Sequence, residues 1–160
     1  MRKRIFSLLL SVCLLFSVLP FPVLAKTVQL GSCGDNLSWK LSDSGTLTIS
    51  GTGKMDDYYD QSPPWYTFQG KIKTLKVKEG VTSIGHRAFE FCDKLSSVSL
   101  PDSLVSIGDY AFSNCPIKKI SLPPNLETLH LGAFTTTKLT SIKLPSKLKF
   151  LGPRVFSGTR

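Results

Sequence analysis

Two histidines, His86 and His130, are the side chains of this sequence whose ordinary titration falls near neutrality, so acid–base chemistry would begin with them. Each closes a short apolar stretch, Ile84-Gly85-His86 and Leu129-His130. Neither has beside it in sequence the orienting acid and the nucleophile that catalysis requires. Both read as turn residues. Asp56, Asp57 and Asp60 flank Tyr58 and Tyr59, but a calcium loop needs ligands at alternating positions around a glycine, and this stretch lacks that spacing. Cys33, Cys92 and Cys115 form no Cys-x-x-Cys pair that would hold zinc or a redox couple. There is no glycine-rich phosphate loop and no nucleophile elbow. The expectation is a chain that is not an enzyme and that carries no cofactor and no metal.

What remains is binding chemistry: lysines, serines and threonines that return at a near-constant interval. Ile84-Gly85-x-x-Ala88-Phe89-x-x-Cys92-x-x-Leu95-x-x-Val98-x-Leu100-Pro101-x-x-Leu104-x-x-Ile107 is answered by the stretch from Ile107 to Leu129, and that stretch in turn by Leu129 to Leu151. A degenerate first copy places Ile72, Leu75, Val77, Val81 and Ile84 in the same columns. A period of this length means a stack of small units, each burying its neighbour's apolar side.

Within one unit, Leu95-x-x-Val98-x-Leu100 ends in the alternation of a short strand, which Pro101 stops, as Pro123 and Pro145 do later. Leu104-x-x-Ile107 predicts a second extended piece, with Gly108 letting the chain turn. Ala111-Phe112-x-x-Cys115 predicts one helical or 3-10 turn that drives phenylalanine inward, so Phe89, Phe112, Phe134 and Phe156 should queue behind one another. Cys92 and Cys115 share a column, at a separation that a disulfide can bridge. Thr137 takes the same column one unit on, which favours two buried free thiols. His86 and His130 should lie two units apart, about 9–10 Å along the stack.

The outward positions of the first strand are Lys73, Thr74 and Lys76, then Ser96, Ser97 and Ser99, then Lys118, Lys119 and Ser121, then Thr140, Ser141 and Lys143. The candidate binding face is Lys73, Lys76, Ser99, Lys118, Lys119, Ser121 and Lys143. Charge supports an anionic partner: residues 71–160 hold fourteen basic and six acidic side chains. Solvation of a strand-rich surface is the simpler explanation of such lysines. Nucleic acid fits poorly, since no aromatic residues interleave the lysines.

Ahead of the repeats, Arg2, Lys3 and Arg4 precede an apolar run, and Val23-Leu24-Ala25 follows it, the layout of an export signal over residues 1–25. The alternative is an uncleaved membrane anchor. Residues 26–70 read as a cap: Leu37 to Leu41 and Thr46 to Ser50 alternate on either side of Ser42-Asp43-Ser44-Gly45, a hairpin signal. Trp65, Tyr66 and Phe68 close this region. They read as packing of the cap onto the first repeat, with a carbohydrate platform as the alternative.

The phrase Ile-Gly-x-x-Ala-Phe-x-x-Cys followed by Leu-x-x-Val-x-Leu-Pro resembles the BspA-like class of bacterial leucine-rich repeats. Cys33-Gly34-Asp35-Asn36-Leu37-Ser38-Trp39 through Gly51 to Pro64-Trp65 resembles the entry region that precedes those repeats. The resemblance implies a β-rich repeat solenoid of leucine-rich-repeat type, with short parallel strands and an N-terminal β-hairpin cap. Residues 71–160 would form about four units, the last incomplete. It also implies a secreted or cell-surface binding module, expected as a monomer without membrane insertion after signal cleavage. The partner would be a protein or glycan on a cell surface or in matrix, and adhesion the role. A non-catalytic targeting portion or fragment of a longer exported enzyme is the alternative.

Overall fold

The computed structural model describes residues 28–59 and 62–159, so the stretch read as an export signal, residues 1–25, lies outside the described residues. The chain opens with three antiparallel strands, β1 (Gln29–Gly34), β2 (Leu37–Leu41) and β3 (Thr46–Gly51). Leu37, Trp39 and Leu41 face inward while Ser38 and Lys40 face solvent, the alternation that makes β2 a strand. Gly45, at φ +82°, supplies the turn to β3, and the expected hairpin forms with Leu41 opposite Leu47. β1 alternates in burial but not in residue type, since Gln29 and Gly31 turn inward and Leu30 outward; this and a bulge between Ser32 and Gly34 hid it in the sequence.

From β3 onward every pairing is parallel. β3 pairs with β5 (Thr74–Val77), which pairs with β7 (Ser97–Ser99), so that Leu47, Leu75 and Val98 are register partners. A second sheet runs β4 (Gly53–Lys54), β6 (Val81–Ile84), β8 (Ser106–Ile107), β9 (Thr128–Leu129) and β10 (Phe150–Leu151). There Ile84, Ile107, Leu129 and Leu151 align, reproducing the sequence period as register. This is the leucine-rich-repeat type of fold, with each turn of chain visiting both sides of the stack. No helix among the described residues is long and apolar enough to cross a membrane.

The segment expected as a helical turn is built differently. Ala88, Glu90 and Cys92 donate to carbonyls three residues back in their own coil, at 3.2–3.4 Å. Arg87, Phe89 and Phe91, between them, donate instead to Asp109, Ala111 and Ser113 of the next coil, at 2.8–3.0 Å. Tyr110, Phe112 and Asn114 repeat this toward Leu131, Ala133 and Thr135, and Gly132, Phe134 and Thr136 toward Pro153, Val155 and Ser157. A continuous helix would turn every donor back into its own turn. Here every second donor ties one coil to the next, a third ladder beside the two sheets. Left-handed backbone makes the alternation possible, at Arg87 (φ 55°), Tyr110 (φ 53°), Gly132 (φ 59°) and Arg154 (φ 57°), and again at Phe91 (φ 60°), Asn114 (φ 58°), Thr136 (φ 55°) and Gly158 (φ 68°).

Inside that ladder the aromatic rings stack. Phe89 and Phe112 lie 5.4 Å apart, Phe112 and Phe134 5.4 Å, and Phe134 and Phe156 6.0 Å, with interplanar angles of 17°, 5° and 9°. The column begins one ring earlier than the repeat suggests, because Trp65 stacks on Phe89 at 5.3 Å. Its indole Nε1–H donates to the Ala88 carbonyl at 2.8 Å. That carbonyl corresponds to Ala111 and Ala133, which accept from the backbone of the coil before them. Tryptophan thus supplies both a ring for the column and a donor for the ladder.

Gly108 does something other than turn the chain. Its φ is not positive, and a Cβ there would sit 2.8 Å from the backbone nitrogen of His86 in the coil behind; Gly152 stands in the same relation to the backbone nitrogen of Leu131. The glycines let two coils approach backbone to backbone.

Candidate functional site

Lys73, Lys76, Ser99, Lys118, Lys119, Ser121 and Lys143, the candidate face, are all exposed. The first sheet sets their alignment. Lys40, Thr48, Lys76 and Ser99 are successive register partners across β2, β3, β5 and β7, and the sequence period continues that row to Ser121 and Lys143. Lys40 and Thr48 therefore extend the row, and the repeat pattern missed them because β2 and β3 stand outside it. Their signal was available: Leu47 and Ile49 anticipate Leu75 and Val77, though at an interval longer than the period of the repeats. Among the described residues, none of Lys40, Lys73, Lys76, Lys118, Lys119 and Lys143 belongs to an ion pair; the lysine pair that forms is Lys149 with Glu127, at 2.9 Å. These ammonium groups keep their charge unspent.

The row does not have one texture throughout. Strand pairing on this side runs from β1 to β7 and stops there. Beyond it, between the segments around Ser121 and Lys143, a cleft of about 530 Å³ opens, walled by Ile120, Leu122, Pro124 and Leu144, with Ser121 and Lys143 also lining it. Leu144 is 42% exposed there. The C-terminal half of the face thus offers a partner apolar surface as well as charge.

The histidines come closer than stack spacing implies. The His86 and His130 rings are 5.8 Å apart, because Gly108 lies in the coil between them and has no side chain to hold them off. His86 Nδ1 accepts the Asp109 N–H at 2.8 Å, which leaves the ring proton on Nε2, 3.6 Å from Asp57 Oδ1. Asp109 spans the pair, with Oδ2 3.3 Å from His86 Nδ1 and Oδ1 4.0 Å from His130 Nδ1. Asp57 and Asp109 were beyond sequence-local reading, since they reach His86 from the neighbouring coils on either side. The hydroxyls lining this recess are engaged, Ser83 Oγ by the Met55 N–H and Ser106 Oγ by the Thr128 hydroxyl. Asp57 and Asp109 also accept the His86 and Leu131 backbone N–H groups, so the cluster ties coils together. No group of histidine, cysteine and carboxylate side chains among the described residues is arranged to hold a metal ion.

Cys33, Cys92 and Cys115 are buried free thiols. Burial pushes the Cys92 thiol up to about 12, with the Asp93 charge adding to the effect, and burial with Asp56 does the same for Cys33. Cys115 Sγ–H donates to the Phe89 carbonyl at 3.0 Å, while Thr137 takes the same column and donates to its own coil's Phe134 carbonyl at 2.9 Å. These thiols fill space, and burial disfavours the thiolate that a nucleophile would need.

No curated protein matches the chain. Among solved structures, it is similar to a leucine-rich repeat protein from Eubacterium ventriosum, at 28% identity and a TM-score of 0.79, over 83% of this chain and 36% of that one. It is also similar to the leucine-rich repeat protein of T. pallidum, at 20% identity and a TM-score of 0.59, over 81% of this chain and 64% of that one, a likeness of fold alone. The chain therefore spans about a third of the length of the Eubacterium protein. A model of the BspA type leucine rich repeat region matches residues 64–160 in six copies. With parallel register, one aromatic ring per coil and a match over more than half of its length, the chain belongs to the BspA-type leucine-rich repeat family.

Proposed function

We propose that the chain is a non-catalytic binding module of the cell surface or secreted space, and that its lysine-rich strand face engages an acidic partner, either a matrix or surface protein or an anionic glycan. The observation that carries this reading is the row from Lys40 through Lys76 and Ser99 toward Lys143, exposed and without carboxylate partners among the described residues. Unpaired like charges on one surface steer an oppositely charged partner and make its affinity fall with salt. In this reading β1–β3 cap one end of a solenoid, since they continue its first sheet while turning antiparallel, so the outermost strand is not another coil. The layout of residues 1–25 supports export, and adhesion is the use an exported lysine-rich face of this kind serves best.

The test is retention of the full chain on a sulfated glycan and on an acidic matrix protein across a salt series. Binding should weaken steadily with salt, and the quadruple charge reversal Lys73→Glu, Lys76→Glu, Lys118→Glu and Lys119→Glu should abolish it while leaving the unfolding midpoint in place. Equal retention of that variant would remove the strand face from the account. A second reading, the targeting portion of a longer exported enzyme, draws on the 36% coverage of the Eubacterium protein. The intact mass of the secreted protein distinguishes the two.

A further inference from the structure

On another side of the molecule, where the Tyr66–Lys71 3-10 helix passes the first turn segment, a second cleft of about 280 Å³ has different chemistry. Tyr59, Tyr66 and Phe91 stand around it, respectively 50%, 52% and 57% exposed, three of the largest exposed apolar side chains gathered at one place. Scattered exposed aromatics need no explanation; a cluster lining a concavity does. The polar groups among them include Arg87, Glu90 and Gln69.

The groups are held in position before any ligand arrives. Tyr59 stacks on His86 at 4.4 Å and donates its hydroxyl to Asp109 Oδ2 at 3.4 Å, so one ring face is fixed and the other is left over. Arg87 lies over the Tyr110 ring at 5.8 Å and reaches Glu90 Oε2 from Nε at 3.7 Å. Phe91 sits in left-handed backbone, φ 60°, where a bulky residue is strained; in the last coil the equivalent place is Gly158, which adopts φ 68° freely. The strain at Phe91 aims an aromatic ring outward at the cleft.

The chemistry of the lining selects among ligands. Among the described residues lining it, Arg87 and Glu90 neutralise each other, so they offer no net charge to an anion and no open cage to a cation. It offers flat apolar rings together with a planar donor, a planar acceptor and an amide that is both. A sugar ring matches this set, with one face of C–H groups for stacking and hydroxyls around its edge that both donate and accept. The volume lies just under the about 300–1,000 Å³ of ordinary ligand clefts, which suits one ring of a chain lying across the surface rather than a swallowed ligand.

We infer that the cleft between Tyr59, Tyr66 and Phe91 is a subsite for a neutral glycan, holding one sugar ring against the aromatics with Arg87, Glu90 and Gln69 at its hydroxyls. It is separate from the lysine row, so the two readings stand or fall independently. The probes are the neutral hexasaccharides of glucose, mannose and N-acetylglucosamine, titrated into the full chain by calorimetry and by NMR of the aromatic signals. At least one should bind saturably, with affinity indifferent to salt. Tyr66→Ala and Phe91→Ala should each weaken it about tenfold, the effect of one stacked ring, while the unfolding midpoint holds. The strand-face charge reversals should leave this affinity alone. Failure of all three sugars to bind would overturn the inference, as would binding that Tyr66→Ala and Phe91→Ala leave unchanged. Saturable binding of a proline-rich peptide at the cleft in place of the sugars would overturn it too, because aromatic grooves also hold extended proline helices.

Discussion

The two long sides of this molecule are held together in different ways. On the turn side, nine inter-coil hydrogen bonds of 2.8–3.0 Å run from Arg87 to Ser157 without a gap, around a column of rings spaced 5.3–6.0 Å. On the strand side, pairing joins β3, β5 and β7 and then ceases, and a cleft opens between the next two coils. The turn side therefore fixes the repeat, and the strand side is free to vary in sequence, charge and spacing. A binding surface gains from such a division, because side chains on the face can change without disturbing what stacks the coils.

Substitutions sharpen that contrast in order of size. Phe112→Ala removes a fully buried ring from mid-column and should cost about 3–5 kcal/mol, against a domain stability of about 5–15 kcal/mol. Lys119→Ala on the opposite side should stay within about 0.5 kcal/mol in the same urea titration. Comparable losses at both positions would erase the distinction between the sides.

Trp65→Phe keeps a ring in the column but deletes the donor to the Ala88 carbonyl, leaving a buried acceptor unmatched. A loss of about 1–3 kcal/mol should follow. If the change is neutral, the indole matters only as a ring. Smallest and opposite in sign is Thr136→Gly: a β-branched residue at φ 55° carries strain of about 1–2 kcal/mol that glycine relieves, less about 0.5–1 kcal/mol for glycine's added freedom when unfolded. A small rise in the thermal midpoint is expected, and a fall would mean that the Thr136 side chain makes a contribution beyond its backbone.

The sequence displayed the turn side's contents without its mechanism. Phenylalanine at a regular interval announced a column, and the registers of β6, β8, β9 and β10 follow that interval. The alternating donors were hidden, because left-handed backbone is carried mostly by Arg87, Tyr110, Phe91, Thr136 and Arg154, residue types that do not signal it; Asn114 tolerates it better, and glycine appears at only two of the eight positions. Trp65 was hidden for a related reason: its ring stands ahead of the regular grammar and slightly out of step with the spacing of the phenylalanines. On the strand side the outward residues were legible from alternation alone. The aromatic cleft was legible only in part: Tyr66 belongs to the aromatic stretch for which a carbohydrate platform is the alternative, but Phe91 comes from a repeat unit that only folding brings beside Tyr59 and Tyr66. Asp57 and Asp109 at the histidine pair illustrate the same limit, being far apart in the chain and joined only through the coils that flank His86.

Native-state hydrogen exchange tests the division between the two sides most directly. The amides of Phe89, Phe112 and Phe134, each bonded to the next coil, should exchange only through global unfolding, while those of Ile120, Ser121 and Lys143 should exchange through local openings of far lower free energy. Protection of the strand-side amides equal to that of the phenylalanines, or loss of protection at Phe112 and Phe134 first, would contradict the account.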